Sequence, residues 1–129
     1  MGSFVTAINC MDGRTQVPVF EYLQKRFEAT YVDTITEAGP VAILAANPYS
    51  DRGRSILRRV DISAYKHHSN GIAIVAHDDC AGNPTEKTTQ LQQLAAAVKF
   101  IAQQYASFEV IGLWLGTDWI VQELECIKP

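Results

Sequence analysis

Apolar residues along this chain fall into two patterns: short continuous runs, and positions that recur every three or four residues. Continuous or β-branched runs are typical of strands, and the wider spacing is typical of helices that bury one face. The runs predict strands over residues 4–9, 31–36, 72–76 and 108–115. The spacing predicts helices over residues 17–26, 54–69 and 85–105, a short helix over 41–46 and a further short element over 118–124.

Turn-forming and capping residues separate these predicted elements. Pro18 suits the first turn of a helix, and Asn70-Gly71 is typical of a helix C-terminus. Thr85 or Thr88 is a candidate cap for the helix predicted over 85–105. Because strands alternate with helices, the predicted fold class is α/β, with a central, mostly parallel sheet of about four to five strands flanked by helices. The length fits a single domain over residues 1–129.

Composition and charge argue against several classes of partner. Hydrophobic residues make up 47% of the chain and charged residues 19%, which is typical of a globular protein. The formal net charge of -3, with no basic stripe, gives no support for nucleic-acid binding. The apolar run over 72–76 is far shorter than the about 20 residues that cross a bilayer, so no membrane association is expected. No secretion signal is recognisable, and a cytoplasmic location is therefore expected.

The three cysteines, Cys10, Cys80 and Cys126, are expected to be reduced. An odd number of cysteines without an export signal argues against a disulfide framework. In a reducing setting, paired cysteines are more often metal ligands or catalysts than a disulfide. Cys126 lies three residues from the end of the sequence and is interpreted as a bystander.

Two short motifs, each directly after an apolar strand, carry the candidate chemistry. The first is CMDGR over residues 10–14, and the second is HDDC over residues 77–80. If the two strands are parallel neighbours, their C-terminal loops face each other, and Cys10, His77 and Cys80 can meet at one point. Two thiolates and an imidazole suit zinc, and three protein ligands leave a fourth tetrahedral position open, as in catalytic sites.

Asp12 and Arg14 flank the first candidate ligand. Side chains two apart in an extended loop point the same way, so these two residues can pair. Two roles stay open for Asp12: it occupies the fourth metal position, or it accepts a hydrogen bond from a metal-bound water. Arg14 would hold the carboxylate through a charge-assisted, bidentate contact.

The pattern Cys-x-Asp-x-Arg, followed by His-x-x-Cys at the end of a later strand, resembles the β-class carbonic anhydrase family. The resemblance implies that Cys10, His77 and Cys80 bind Zn²⁺ and that Asp12 and Arg14 form a catalytic pair. It also implies reversible hydration of CO₂ to bicarbonate, and a homodimer or a higher homo-oligomer. The proton carrier is not implied, and His67 and His68 are candidates only by residue type.

Some positions depart from the family pattern. Glu37 stands where the family usually has Asn, and Ala76 replaces the usual Gly before the histidine. Family members also usually carry an N-terminal helical extension before the first strand. These departures leave the five motif residues intact and concern the substrate pocket.

Three alternatives stay open at this point. The chain is a hydrolase of a CO₂-like molecule such as carbon disulfide or carbonyl sulfide, or a non-catalytic zinc-binding relative. The third alternative is thiol redox chemistry through Cys10 and Cys80, which predicts a disulfide and no metal. The absence of a Cys-x-x-Cys motif disfavours it.

Other polar and aromatic residues have plainer interpretations. Asp78 and Asp79 are expected to be solvated loop acids or caps of the following helix. The basic cluster of Arg52, Arg54, Arg58 and Arg59 is expected to be a solvated helix face or a dimer contact. Trp114 and Trp119 are interpreted as core or interface aromatics.

Overall fold

Five strands form one sheet in the computed structural model of the chain, which describes residues 2–129. The strands are β1 (Phe4–Cys10), β2 (Tyr31–Glu37), β3 (Ile72–His77), β4 (Val110–Leu115) and β5 (Val121–Ile127). Their order across the sheet is β2-β1-β3-β4-β5. The first four are parallel, and β5 is antiparallel to β4. The predicted α/β class with a mostly parallel sheet is confirmed.

Four α-helices connect or flank these strands. They are α1 (Gln16–Arg26), α2 (Pro40–Ala46), α3 (Asp51–Asp61) and α4 (Lys87–Gln104). A 3-10 turn over Gly13–Thr15 precedes α1, and a π-helical turn over Ile62–Lys66 follows α3. None of the helices within residues 2–129 is long and apolar enough to cross a membrane.

Three predicted helix boundaries were wrong, and a local hydrogen bond explains one of them. The helix predicted over 54–69 begins at Asp51 because the Ser50 side chain accepts a hydrogen bond from the Gly53 N–H at 3.2 Å. Its α-helical part ends at Asp61 and its π turn at Lys66. In α4 neither predicted cap is used, because Glu86 is the N-cap residue and Thr88 lies within the helix.

Two apolar layers cover the faces of the sheet. Helices α2, α3 and α4 pack on one face, around residues such as Ile8, Ile56, Ile74 and Leu94. Helix α1 packs on the other face, where Leu23 lies against Val75 and its neighbours. All six residues of β3 are buried, which is the physical reason that its sequence is apolar throughout.

The fifth element, predicted over 118–124, is the edge strand β5, antiparallel to β4. It alternates between half-buried and exposed residues over most of its length, because successive side chains point to opposite faces and only one face, with Val121, packs against the apolar layer under α1. Residues 116–120 connect it to β4, and within them the Trp119 ring lies 5.7 Å from the ring of His77, the last residue of β3. This connection brings Trp119 to the motif residues described next.

Candidate metal centre

The two motifs lie together because their strands are parallel neighbours. Strands β1 and β3 pair through Ala7 and Ala73, so their C-terminal ends reach the same edge of the sheet. Cys10 is the last residue of β1, and His77 is the last residue of β3. Cys80 follows in the turn after β3. The predicted convergence of these three residues is observed.

The three candidate ligand atoms form a tight, buried group. All of them lie within 4.8 Å of one another, and the two sulfur atoms are 3.8 Å apart. The exposed fractions are 3% for Cys10, 1% for His77 and 5% for Cys80. A group of this size could hold a single metal ion.

The His77 ring is oriented by its own backbone neighbour. Its Nδ1 lies 2.7 Å from the Asp78 carbonyl oxygen, and because a carbonyl only accepts, Nδ1 carries the hydrogen. The Nε2 atom therefore presents a lone pair, and it is buried with no hydrogen-bond partner in the described chain. A buried nitrogen without a partner is unfavourable, and a metal ion would satisfy it. Metal-binding histidines commonly have their second nitrogen fixed in this way.

The two thiols differ in acidity. Burial opposes ionisation of Cys10, but the nearby His77 imidazole and backbone groups lower its pKa to about 7. Burial and the adjacent Cys10 charge raise the pKa of Cys80. Two buried thiols and an unpartnered imidazole nitrogen are the donor set that a borderline-soft divalent ion prefers, so these residues fit the metal that the motif resemblance implies.

Asp12 and Arg14 form the bidentate pair that their spacing predicts. The Asp12 Oδ1 atom accepts from Arg14 Nε at 3.0 Å, and Oδ2 accepts from Nη2 at 2.7 Å. The hydrogen bond from Arg14 lowers the pKa of Asp12 to about 2, so the carboxylate is ionised at neutral pH. Its Oδ2 atom lies 4.0 Å from His77 Nε2, which places this carboxylate at the rim of the candidate metal centre.

Side chains from α1 fix the loop that carries this pair. Gln16 Nε2 donates to the Cys10 carbonyl at 2.8 Å and to the Asp12 carbonyl at 3.0 Å. Thr15 Oγ1 donates to the same Asp12 carbonyl at 2.8 Å. Thr15 and Gln16 were not predicted from the sequence. Their position just after the motif, at the start of a helix, is the signal that could have identified them.

A small cavity of about 200 Å³ opens beside Cys10. It is lined mainly by apolar atoms, from Cys10, Met11, Asp12, Ala38, Ala81 and Gly82. A larger residue does not fit at position 82 unless the loops move, because its Cβ atom would come within 2.7 Å of the Ala38 backbone. The loop after β2 and the loop after β3 are therefore in direct contact where they form the wall of this cavity.

The residue that departs from the family pattern, Glu37, lies outside that cavity. Its side chain accepts from Arg59 Nη2 at 2.6 Å and lies 3.9 Å from Arg52. The arginine cluster is thus partly neutralised by Glu37 rather than being a wholly solvated face. The carboxylate is turned toward α3 and does not line the cavity.

His67 and Cys126 lie apart from the candidate centre. His67 Nδ1 is 2.6 Å from Asp33 Oδ2, and its ring stacks on Phe4 at the opposite end of β1 from Cys10. Cys126 lies on the edge strand, where its thiol is 3.4 Å from Glu109 Oε2. Neither residue touches the three candidate ligands.

Two further residues contact Arg14 that the motifs did not identify as partners. Asp79 accepts from Arg14 Nη1 through its side chain at 3.3 Å and from Nη2 through its backbone at 3.1 Å. The Trp119 ring lies under the guanidinium, 4.2 Å from its central carbon. Asp79 is therefore more than a solvated loop acid, and Trp119 is more than a packing aromatic.

A parallel-sheet domain with a buried Cys-His-Cys group beside an Asp-Arg pair has the architecture expected of a β-carbonic anhydrase. The family model described as putative carbonic anhydrase matches residues 1–125. The chain therefore belongs to this putative carbonic anhydrase family. No curated protein matches its sequence.

Solved structures with the same fold include several β-carbonic anhydrases. Two tetrameric enzymes from the ascomycete Sordaria macrospora are represented by a chain with a TM-score of 0.64 and 12% identity, covering 95% of this chain and 80% of that one. Isoform I from the protozoan Trichomonas vaginalis gives 0.61 and 13%, covering 92% and 80%. An enzyme from the fungus Aspergillus fumigatus gives 0.64 and 12%, covering 97% and 76%. At these identities the likeness establishes the β-carbonic anhydrase fold.

Proposed function

We propose that this protein is a zinc-dependent carbonic anhydrase that interconverts CO₂ and bicarbonate. The observation that carries the proposal is the unpartnered Nε2 atom of His77, which converges with two buried thiols beside an ionised Asp12. Membership of the putative carbonic anhydrase family supports the same reaction. Residues 1–129 are taken as one β-carbonic anhydrase-like domain, with the cytoplasm as its expected location.

Cys10, His77 and Cys80 would hold the zinc ion. When bound, zinc supplies a Lewis acid that lowers the pKa of water and makes it a nucleophile at neutral pH. The Asp78 carbonyl keeps His77 in the tautomer that ligation needs. The Gln90 side chain donates to the His77 carbonyl at 2.9 Å, which fixes the end of β3 against α4.

Asp12 is proposed to accept a hydrogen bond from the attacking water and so to orient it. It suits this role because it is anionic at neutral pH and lies at the rim of the candidate centre. Arg14 holds both carboxylate oxygens. Oδ1 accepts from its backbone N–H and from Nε, whereas Oδ2 accepts only from Nη2 and keeps one lone pair available for a second donor. An acceptor fixed in this way orients the nucleophile without reorganising during the reaction.

The apolar cavity beside Cys10 is the proposed substrate pocket. Its small volume and apolar lining favour a small, uncharged molecule such as CO₂. Carbon disulfide and carbonyl sulfide share these properties, so their hydrolysis is the alternative activity that this cavity favours. Parallel assays with the three substrates distinguish the activities.

Assembly into a homodimer or a multiple of one is proposed as well. The related Sordaria enzymes are tetrameric. Several large apolar side chains near the motif loops are exposed in the single chain, among them Met11, Val17 and Phe20. Burial of such residues against a second copy would remove apolar surface from water.

The decisive experiment measures zinc content and CO₂ hydration on the same preparations. We expect about one zinc per chain in the parent, as tetrahedral three-ligand sites hold a single ion. Cys80→Ser should lose the zinc and the activity, whereas the matched control Cys126→Ser should keep both. Absence of zinc from the parent after refolding with the metal would contradict the proposal. Zinc without hydration of CO₂ would favour the alternative substrates or a non-catalytic role.

A further inference from the structure

Two strained backbone positions meet at one guanidinium group. Within residues 2–129, four non-glycine residues have positive φ angles, namely Glu28, His68, Asp79 and Trp119. This conformation is uncommon for residues with a side chain, and it is especially unfavourable for a bulky one. Asp79, at 54°, and Trp119, at 57°, come from different loops, and both contact Arg14. Strain of this kind persists where the surrounding structure requires it, which is often at a functional site.

Hydrogen bonds occupy the edges of the Arg14 guanidinium, and an aromatic ring covers one of its faces. Two nitrogens on one edge donate to Asp12, and Nη1 and Nη2 donate to the side chain and backbone of Asp79. The Trp119 ring covers one face of the guanidinium at 4.2 Å. A cation held over an indole is attracted by the negative face of the ring. The guanidinium is therefore restrained by Asp12, by Asp79 and by the Trp119 ring at the same time.

Trp119 is itself anchored on the other side. Its backbone N–H donates to the Gly116 carbonyl at 3.1 Å, and its side chain packs with Val121 against the apolar layer under α1. The same ring lies 5.7 Å from the His77 ring. One aromatic side chain thus contacts both the residue that holds Asp12 and a candidate metal ligand.

An anchor is needed because the Asp12–Arg14 pair is open to water. The Arg14 side chain is 46% exposed, and exposed ion pairs contribute little by themselves. Without further contacts, a long and solvated arginine samples many rotamers. Asp12 released from Arg14 would be free to turn toward the candidate ligands, since its Oδ2 is already 4.0 Å from His77 Nε2.

We propose that Trp119 and Asp79 are positioning residues that hold Arg14, and through it keep Asp12 directed at the reacting water rather than at the metal. The proposal deepens the function proposed above and rests on it. Trp119 acts through its aromatic face, and Asp79 acts through the left-handed turn that presents its backbone carbonyl and its carboxylate to Arg14. Because that carboxylate is 79% exposed, the Trp119 ring is the stronger of the two anchors. Neither residue is placed in contact with substrate.

The first test measures Arg14 directly, in the full-length protein as purified. The Arg14 Nε–H signal in a ¹H–¹⁵N correlation spectrum, assigned by its disappearance in Arg14→Lys, reports exchange with solvent. We expect Trp119→Leu to accelerate that exchange by about three- to tenfold, the range that corresponds to loss of one cation–π contact. Trp119→Phe should retain most of the protection, because it keeps an aromatic face.

The second test uses cobalt in place of zinc and azide as the probe. Azide binding to the open metal position changes the visible absorption of the cobalt-loaded protein. In Trp119→Leu we expect about three- to tenfold weaker azide binding, because a released Asp12 competes for the same position. Adding Asp12→Ala to that variant should restore azide affinity, which a purely structural role of Trp119 would not produce.

Matched variants separate positioning from stability. Val32→Ala removes an apolar contact from the same cluster at the far end of the sheet from Arg14, so it should lower stability while leaving Arg14 exchange and azide affinity unchanged. Asp79→Asn keeps the backbone acceptor and a residue that tolerates the left-handed turn, so it should show a smaller effect than Trp119→Leu.

Parental exchange and parental azide affinity in Trp119→Leu would overturn the proposal. Absence of CO₂ hydration in the parent would instead contradict the proposed function, and the exchange measurement would still decide the role of Trp119.

Discussion

At the scale of single residues, the candidate centre depends on hydrogen bonds that fix polar side chains. The hydrogen bond from Arg14 lowers the pKa of Asp12 to about 2, and His77 presents Nε2 because Asp78 accepts from Nδ1. Each of these polar groups would adopt other orientations in water. The surrounding loops hold them in one arrangement, the one that the proposed metal site and an oriented acceptor would need.

Replacing Asp12 by Asn should separate metal binding from reactivity. The amide keeps the shape and a carbonyl oxygen but loses the negative charge and one of the two oxygens that accept from Arg14. We expect kcat/KM for CO₂ hydration to fall by about 100-fold or more, the effect of losing an acid–base or electrostatic group. Zinc content should stay at the parental level, measured on the same samples. Asp78→Asn is the matched control in the second motif, and it should keep near-parental activity because only its backbone contacts His77.

Tyr105 predicts how stability depends on alkaline pH. Burial, and then the hydrogen bond to Asp61 at 2.6 Å, raise the pKa of this phenol. Because the folded pKa lies above the unfolded value of 10.0, the stabilisation is fully present below pH 10 and is lost as the pH rises further. Urea unfolding between pH 9 and about pH 11 should show a steeper loss of stability in the parent than in Tyr105→Phe. Equal slopes would refute this assignment, and the exposed Tyr49→Phe variant serves as the control.

At the scale of elements, strand ends and the loops after them build the centre. Strands β1 and β3 deliver the candidate ligands to one edge of the sheet, and the loop between β4 and β5 adds Trp119. The loop after β2 contacts the loop after β3, and together they line the small cavity. Changes in these loops should therefore affect both stability and access to the centre.

Two glycines in these loops should respond differently to alanine. At Gly82 a Cβ atom would lie 2.6 Å from the Ala38 Cβ and 2.7 Å from its carbonyl carbon, so the loops must separate. We expect Gly82→Ala to lower the free energy of unfolding by about 1–3 kcal/mol, as overpacking typically does. Gly13 has open space at the same position, so Gly13→Ala should change stability by less than about 0.5 kcal/mol. Urea unfolding of the two variants tests the contrast, and equal effects would contradict it.

At the scale of the whole molecule, the exposed apolar side chains argue for association. Light scattering should give a mass of twice the 14.3 kDa chain or a multiple of it. The physical reason is that Met11, Val17 and Phe20 leave apolar surface in water in the single chain. A mass equal to one chain at micromolar concentration would contradict this expectation.

Much of the fold and the candidate ligands could be predicted from local sequence patterns. The apolar run over 72–76 predicted a buried strand because only that type of strand is apolar on both faces. Cys10, His77 and Cys80 were identified because metal ligation needs particular donor atoms, which few residue types supply. The start of α3 at Asp51 was missed, because a single capping side chain, Ser50, decided it.

Only the tertiary structure decided which distant residues complete the centre. Asp79 looked like a solvated loop acid, and Trp119, which is 40 residues away from it, looked like a packing aromatic. Their shared contact with Arg14 depends on the sheet order, which brings the loops after β1, β3 and β4 together. Sequence by itself determined which residues can donate to a metal or bury apolar surface, because those properties belong to single side chains and local periodicity. The arrangement of the loops belongs to the packed sheet, since contacts across it depend on strand order and register rather than on any one segment.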